Sequence, residues 1–376
     1  MNKLLIISRW YLPAVKSGGT VRSVVALVNG LKEDFSISIL TSDRDLGAKE
    51  AYENVELDRV IKHNGTDIIY LSKLNMESIG SYIKLQNPDI IYLNSFFDVT
   101  TVSVMLLKLR GKIKTQIILA PRGELAEGAL SIKANKKKVY LFFYKLLKLS
   151  KGIIFHATSN EDKVDIKRLF PSNEIELIQN PKERNTKQYT LPFKEKNSLK
   201  MVFISRIAPV KNLLYGLEIL NNNKFEGKIE FDIYGPDEDK KYWHECQEII
   251  KQLPENIEVN YKGFVEPKDI GSTLSKYHLF FLPTKGENFG HAIVEAMEVG
   301  LLPLISDKTP WTKLEDKKAG YSLSLEDNTA YARAIKEVLI FSNDLFLDYS
   351  NNIKKYVGEK INSKKTLEDY KVLFKT

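Results

Sequence analysis

The chain has 376 residues, and at roughly 100–200 residues per domain that length predicts two domains. With 43% hydrophobic and 28% charged residues its composition is that of a soluble globular protein, and no apolar run approaches the roughly 18–20 residues of a membrane span. The net charge of +8 sits in the first half: residues 1–185 hold 28 Lys/Arg against 20 Asp/Glu, while residues 186–376 hold 28 of each.

Met1-Asn2-Lys3-Leu4-Leu5-Ile6-Ile7 places a positive residue before an apolar run, but Ser8-Arg9-Trp10 ends that run too early for a signal peptide, so it reads as a first strand. Lys16-Ser17-Gly18-Gly19-Thr20 leads from it into a helix over 21–31. Glycines there allow close backbone approach, and a helix start favours an anion; a plain turn has the same appearance. It is not a G-x-G-x-x-G fingerprint, which disfavours a dehydrogenase, and no G-x-x-x-x-G-K-[ST] occurs. Further short apolar runs at 36–40, 68–71, 90–93, 117–120 and 153–157 alternate with helical patterns, predicting a first parallel sheet covered on both faces.

Lys108 to Lys151 concentrates 12 basic residues against Glu124 and Glu127. Within it, a helical wheel puts Lys137, Lys138, Lys145 and Lys148 on one arc and Val139, Phe142, Phe143, Leu146, Leu147 and Leu149 opposite, a basic amphipathic helix. Two readings are open: residues 133–151 dock on an anionic membrane surface, or the apolar arc packs on the sheet and the lysines are merely solvated. On either reading the lysines face outward.

Asn180 to Lys187 is polar and lacks apolar period, which marks the linker and predicts domains at 1–185 and 186–376, with the last helix free to pack back on the first domain. A second strand series follows at 201–205, 229–234, 257–261, 278–282 and 302–305. In Ser205-Arg206-Ile207-Ala208-Pro209-Val210-Lys211-Asn212, Arg206 and Lys211 stand where a diphosphate could be clamped, or as two solvated cations, and Asn212 should cap the next helix. Pro283 to Gly290 leaves a strand and enters a helix that Gly300 stops. Glu287 in the loop and Glu295 two turns into the helix could face one polyhydroxyl ligand from different depths, or be two surface acids.

These three pieces in this order resemble the retaining nucleotide-sugar glycosyltransferases of family 4, glycosyl transferases group 1, with their GT-B fold of two doubly wound Rossmann-like α/β domains facing across a cleft. The signature stands as Glu287, seven residues, then Glu295-Ala296-Met297, Gly300 and Pro303. The resemblance implies an acceptor-binding domain at 1–185 and a nucleotide-sugar-binding domain at 186–376. It implies that Arg206 and Lys211 bind the donor diphosphate, Glu295 the ribose, and Glu287 the transferred sugar. The backbone of Asn288, Phe289 and Gly290 lies alongside, and Gly18 and Gly19 close over the phosphates. Asn288 stands where many members have Gly, and Arg122 where many have a His before Gly. Arg122 cannot act as a base. Arg122, Glu124 and His156 are the acceptor-side candidates.

The implied reaction is retaining transfer of a hexose-type sugar from a nucleotide diphosphate sugar, UDP by family frequency, to a hydroxyl acceptor. That acceptor is expected to be a lipid-linked glycan in polysaccharide, O-antigen or capsule assembly. No cofactor and no metal are expected. Five histidines stand at no zinc spacing, and Asp43-Arg44-Asp45 and Asp237-Glu238-Asp239 read as polar loops rather than the metal motif of another transferase fold. The single Cys246 fits a cytoplasmic chain, peripheral on the inner membrane face if the basic helix docks. Two other readings are a non-catalytic sugar-binding relative and a basic nucleic-acid-binding protein. The second lacks interleaved aromatic and basic residues and leaves Glu287, Glu295 and the glycines unexplained, so no nucleic-acid partner is expected.

Overall fold

A computed structural model describes residues 1–16, 18–131, 133–182 and 187–375; Ser17 of the glycine loop and positions 183–186 of the expected linker lie outside the described residues. The chain divides into two compact units, unit 1 of Met1–Arg184 with Ser363–Thr376 and unit 2 of Asn185–Asn362. The expected second domain of 186–376 therefore gives its end to the first.

Unit 1 carries strands β1 (Lys3–Ile7), β2 (Ser36–Ser42), β3 (Val60–His63), β4 (Thr66–Leu71), β5 (Ile90–Asn94), β6 (Gln116–Ala120), β7 (Ile153–Ala157) and β8 (Ile175–Leu177). Its helices are α1 (Gly19–Leu31), α2 (Met76–Gln86), α3 (Val99–Leu109), α4 (Glu127–Ser131), α5 (Ala134–Leu146) and α6 (Asn160–Leu169). The described strands form one eight-stranded sheet in the order β3-β4-β2-β1-β5-β6-β7-β8, parallel except where β3 runs against β4. Strand β1 shows why its sequence is apolar after Lys3: Leu5 and Ile7 enter one core, and Leu4 and Ile6 enter the core on the other face.

Unit 2 carries β9 (Ser198–Ile204), β10 (Lys228–Tyr234), β11 (Ile257–Gly263), β12 (Leu279–Leu282), β13 (Leu302–Ser306) and β14 (Tyr321–Leu323), ordered β11-β10-β9-β12-β13-β14 and parallel throughout. Helices α7 (Leu213–Asn222), α8 (Lys240–Ile250), α9 (Ile270–Leu274), α10 (His291–Val299), α11 (Asn328–Leu339) and α12 (Asn343–Lys360) accompany them. The last helix, α13 (Ser363–Leu373), joins unit 1, where Tyr370, Leu373 and Phe374 are buried and Lys371 pairs with Asp34 at 3.0 Å. Gly30 of α1 makes this approach possible, since a Cβ there would stand 2.4 Å from Leu367 of α13.

Strands β3, β8 and β14 were not expected from sequence: they are short, β3 and β8 are mostly exposed and β14 mostly half-buried, so they lack the buried apolar runs that mark the central strands. In each sheet the chain builds outward from a first strand and then crosses to its other side, between β1 and β5 in unit 1 and between β9 and β12 in unit 2. Loops leaving those strands part in opposite directions, which opens a crevice where ligands bind in sheets of this type. Among the described residues no helix is long and apolar enough to cross a membrane.

Candidate functional site

In unit 2 the loop after β9 carries Arg206 and Lys211, and the loop after β12 carries Glu287, so both candidate segments stand at the switch point. Backbone bonds tie the loops together. Lys285 N–H donates to the Val210 carbonyl at 2.8 Å, Thr284 Oγ1 donates to the same oxygen at 3.0 Å, and Glu287 N–H donates to Lys308 O at 2.9 Å. The Lys211 ammonium donates to Glu287 Oε1, with the two side chains only 13% and 17% exposed. A cation and a carboxylate are thereby held on one small surface, fit to meet a phosphate and a hydroxyl side by side.

Arg206 is more open, its side chain 44% exposed, and pairs with Glu238 at 2.9 Å. Glu238 belongs to the loop after β10, whose closeness is set by Gly235: at φ +137° this residue has no Cβ, and one would stand 1.8 Å from the Ser205 carbonyl oxygen. In the sequence Glu238 was read only as part of a polar loop, because its partner lies 32 residues away, across α7 and β10.

The third element is the start of α10. Gly290, at φ +74° and ψ +60°, precedes it and supplies no side-chain cap, so the positive end of the helix dipole is presented at this loop. Phe289 is buried against Trp311, whose Nε1–H donates to the Phe289 carbonyl at 2.6 Å. Asn288 is half-buried in the same loop, and Glu295 lies half-buried one turn into α10. At α7 the expected cap is corrected: Asn212 occupies the position before the helix at φ +60°, but its side chain makes no cap bond there.

In unit 1, Gly18 stands at φ +65° before α1, again with no side-chain cap, and Gly19 begins the helix. A Cβ on Gly18 would meet nothing within 4 Å, so the backbone angle, and not crowding, asks for glycine. Asp45 steadies the approach to this turn, its Oδ2 accepting from Val15 N–H at 2.9 Å and Lys16 N–H at 3.0 Å. Asp43 is buried and bonded to Arg44, Asp239 caps α8 through Tyr242 N–H, and Asp237 pairs with Lys240. Among the described residues no group of three or more His, Cys, Asp or Glu converges as a metal site.

The acceptor-side candidates come together, though as a saturated network rather than an open surface. Arg122, at φ +58° after β6, donates from NH2 to Asn94 Oδ1 at 2.7 Å, from NH2 to Tyr92 OH at 3.2 Å, and from NH1 to Asn180 Oδ1. Tyr92 OH lies 2.8 Å from His156 Nδ1, and His156 Nε2 lies 2.8 Å from the Ile178 carbonyl. Since the carbonyl can only accept, Nε2 carries the proton and Nδ1 accepts from Tyr92. Burial, with Arg122 nearby, lowers the His156 pKa to about 3. Fully buried with both nitrogens engaged, His156 is a core histidine; its placement on an acceptor surface is corrected. Glu124 is also occupied, accepting from Ser95 Oγ at 2.7 Å and from Phe96 and Phe97 N–H at 2.6 and 3.1 Å, and burial raises its pKa. It pins the turn after β5. Asn94, Asn180 and Tyr92 went unmarked in the sequence because nothing local distinguishes them.

Of the two readings of the basic helix, the one that packs its apolar arc on the sheet is corrected, and so is the outward placement of Lys137. On α5 the inward side is Tyr140, Leu141 and Tyr144, and Lys137 turns inward with them, donating to the Ala129 carbonyl at 2.7 Å and lying 4.9 Å from the Phe97 ring centre. Of the apolar arc, Val139, Phe142, Phe143, Leu146 and Leu147 are exposed, while Leu149 packs against the core.

Comparison with known proteins adds an independent line. Residues 185–356 match the family described as glycosyl transferases group 1. A protein of Klebsiella pneumoniae described as an uncharacterized 41.2 kDa protein in the cps region is 23% identical over 319 residues, covering 82% of this chain and 85% of that one. Sucrose-phosphate synthase from Thermosynechococcus elongatus superposes with a TM-score of 0.76 at 17% identity, over 100% of this chain and 98% of that one. The Anabaena HepE structure in complex with UDP and glucose superposes with a TM-score of 0.71 at 13% identity, over the whole of both chains. At such identities the structural likenesses establish the fold.

Proposed function

We propose, for a chain whose residues 185–356 belong to the glycosyl transferases group 1 and whose two Rossmann-like units have the GT-B fold, a retaining sugar transfer from a nucleotide diphosphate sugar to a hydroxyl acceptor. The observation that carries this reading is the convergence at the unit 2 switch point of Arg206, Lys211, Glu287 and the uncapped start of α10. Arg206 and Lys211 take the diphosphate, Glu287 the sugar hydroxyls beside it, Glu295 the ribose, and the N–H groups after Gly290 the remaining phosphate or sugar oxygens. UDP is the favoured nucleotide; HepE, of the same fold, was solved with UDP and glucose.

In the reaction the bond between the anomeric carbon and the diphosphate oxygen breaks, and the acceptor oxygen bonds to that carbon on the same face. The acceptor proton passes to the departing phosphate oxygen, so no protein base is required. Negative charge grows on the diphosphate as the bond lengthens, and cations already held in place stabilise it without reorganising. Lys211 exchanges its Glu287 contact for phosphate as the donor binds. Glu287 is thereby freed toward the sugar. No metal enters this scheme.

The acceptor we propose is a lipid-linked glycan in surface polysaccharide assembly at the cytoplasmic side of the membrane, a reading supported by the cps-region relative. Incubation with a panel of nucleotide sugars, scored for slow donor hydrolysis, tests the donor without knowledge of the acceptor. One nucleotide sugar should be hydrolysed above the others and yield the sugar first released as the α anomer if its donor is α-linked. No binding and no hydrolysis of any member of the panel contradicts the proposal.

A further inference from the structure

We infer that the outward face of α5 in unit 1 is a membrane-docking surface that inserts an apolar wedge into an anionic lipid interface. Val139, Phe142, Phe143 and Leu146 stand at positions i, i+3, i+4 and i+7, one stripe of a helix. Such a stripe normally covers a core, yet these side chains are 57%, 62%, 51% and 61% exposed. The core is served by the other side of the helix, where Tyr140 and Tyr144 pack on Phe96 with ring centres 5.6 and 4.8 Å away. The stripe is therefore surplus to the fold, and it is contiguous, with the Phe142 and Phe143 rings 5.4 Å apart. Contiguous apolar patches of this kind mark surfaces that another phase or molecule covers.

Charge decides which occupant fits. From Gly128 to Lys151 the chain has seven lysines and no Asp or Glu. Lys133, Lys136, Lys138, Lys145 and Lys148 are exposed around the stripe. A protein partner would have to supply several carboxylates around a narrow apolar strip. An anionic lipid surface supplies both at once, headgroup charge for the lysines and acyl-chain boundary for the phenylalanines and leucine. The surface lies on unit 1 and uses none of the residues assigned to the donor, so it stands independently of the sugar assignment.

Co-sedimentation of the full chain with vesicles of phosphatidylcholine and phosphatidylglycerol, against phosphatidylcholine alone, tests it. Wild type should pellet with the anionic vesicles at low salt and be released by salt. Phe142→Ser/Phe143→Ser/Leu146→Ser should lower the partition coefficient at least tenfold while donor binding is kept. Lys136→Ser/Lys138→Ser/Lys148→Ser should remove the preference for anionic vesicles. Phe142→Trp should shift its emission to the blue on the vesicles and be quenched by brominated acyl chains. Wild type left in the supernatant at low salt overturns the inference, as does undiminished binding by the triple Ser variant of the stripe. A wild-type dimer at micromolar concentration that this variant abolishes, with no vesicle binding, shows the face to be a contact between copies of the chain instead.

Discussion

Beyond the switch point of unit 2 stand Arg206, Lys211 and Glu287, charged groups on short loops whose partners are one another and Glu238. On the equivalent side of unit 1, Arg122 is fixed by Asn94, Asn180 and Tyr92, and behind it His156 is sealed in the core. The same architecture thus holds an exchangeable set of charges in one unit and a closed polar network in the other. The half-exposed Arg206–Glu238 pair costs little to rearrange, and a phosphate with a hydroxyl can replace the partners that the more enclosed Lys211 and Glu287 give up, whereas a buried network loses the full desolvation cost of any partner left over. The first arrangement suits a ligand that comes and goes; the second holds strand ends and loops in place.

The largest effect should come from breaking the exchangeable set. Lys211→Ala removes a preorganised cation and leaves Glu287 without its partner, and should cost about 3 kcal/mol in transition-state stabilisation, on the order of 100-fold in kcat/KM. Arg206→Ala should cost a comparable but smaller amount, its side chain being more exposed. Steady-state rates on the preferred donor, with folding checked by circular dichroism, decide between this and mere surface charges, for which both variants would keep near wild-type turnover.

Breaking the closed network should act on stability first. Arg122→Met strands the Asn94 and Asn180 side-chain oxygens and should cost about 2 kcal/mol in unfolding free energy, read by urea denaturation of unit 1, with nucleotide affinity unchanged. Loss of UDP affinity with unchanged stability would reverse the contrast between the units.

Protonation sharpens the same contrast. The folded-state pKa of His156, near 3, lies below its ordinary value of 6.5, so between those values the unfolded chain binds the proton preferentially. Stability contributed by the neutral histidine is present above pH 6.5 and is lost progressively as pH falls toward 3. His278 of unit 2, lowered to about 4 chiefly by burial, acts with the same sign over a narrower range. Unfolding followed from pH 7 to 4 should show declining stability, and His156→Gln should flatten that slope. An unchanged slope contradicts the buried neutral histidine. The smallest expected effect is none: turnover should survive excess chelator, and a rate lost to chelation and restored by a divalent cation would show that Asp43 with Asp45, or Asp237 with Asp239, had been dismissed wrongly.

Much of this was legible in the sequence where one short segment carries the information. The central strands are continuous apolar runs, and Gly290 with Gly300 brackets α10 in a single stretch. Arg206, Lys211, Glu287 and Glu295 could be marked because each falls just after a strand or just inside a helix. The unit 1 network was legible only in part: Arg122 and His156 were marked as acceptor-side residues, but their bonds to one another's neighbours were not, since Asn94, Arg122, His156 and Asn180 come from four segments and meet only once the sheet exists. The orientation of α5 was left open between two readings for a related reason. A helical wheel ranks apolar residues alike, and the decisive fact is that Tyr140 and Tyr144, amphipathic residues, fill the aromatic core beside Phe96 and so leave the phenylalanines outside.

The central claim is that the unit 2 loops hold a nucleotide diphosphate. Isothermal titration of wild type and of Arg206→Ala/Lys211→Ala with UDP tests it most directly, with the corresponding GDP and TDP titrations covering another nucleotide. Saturable one-to-one binding of one of the three by wild type, weakened at least 30-fold in the double variant, is the predicted result. Binding of equal strength in a folded double variant, or none of the three bound by wild type, contradicts the claim.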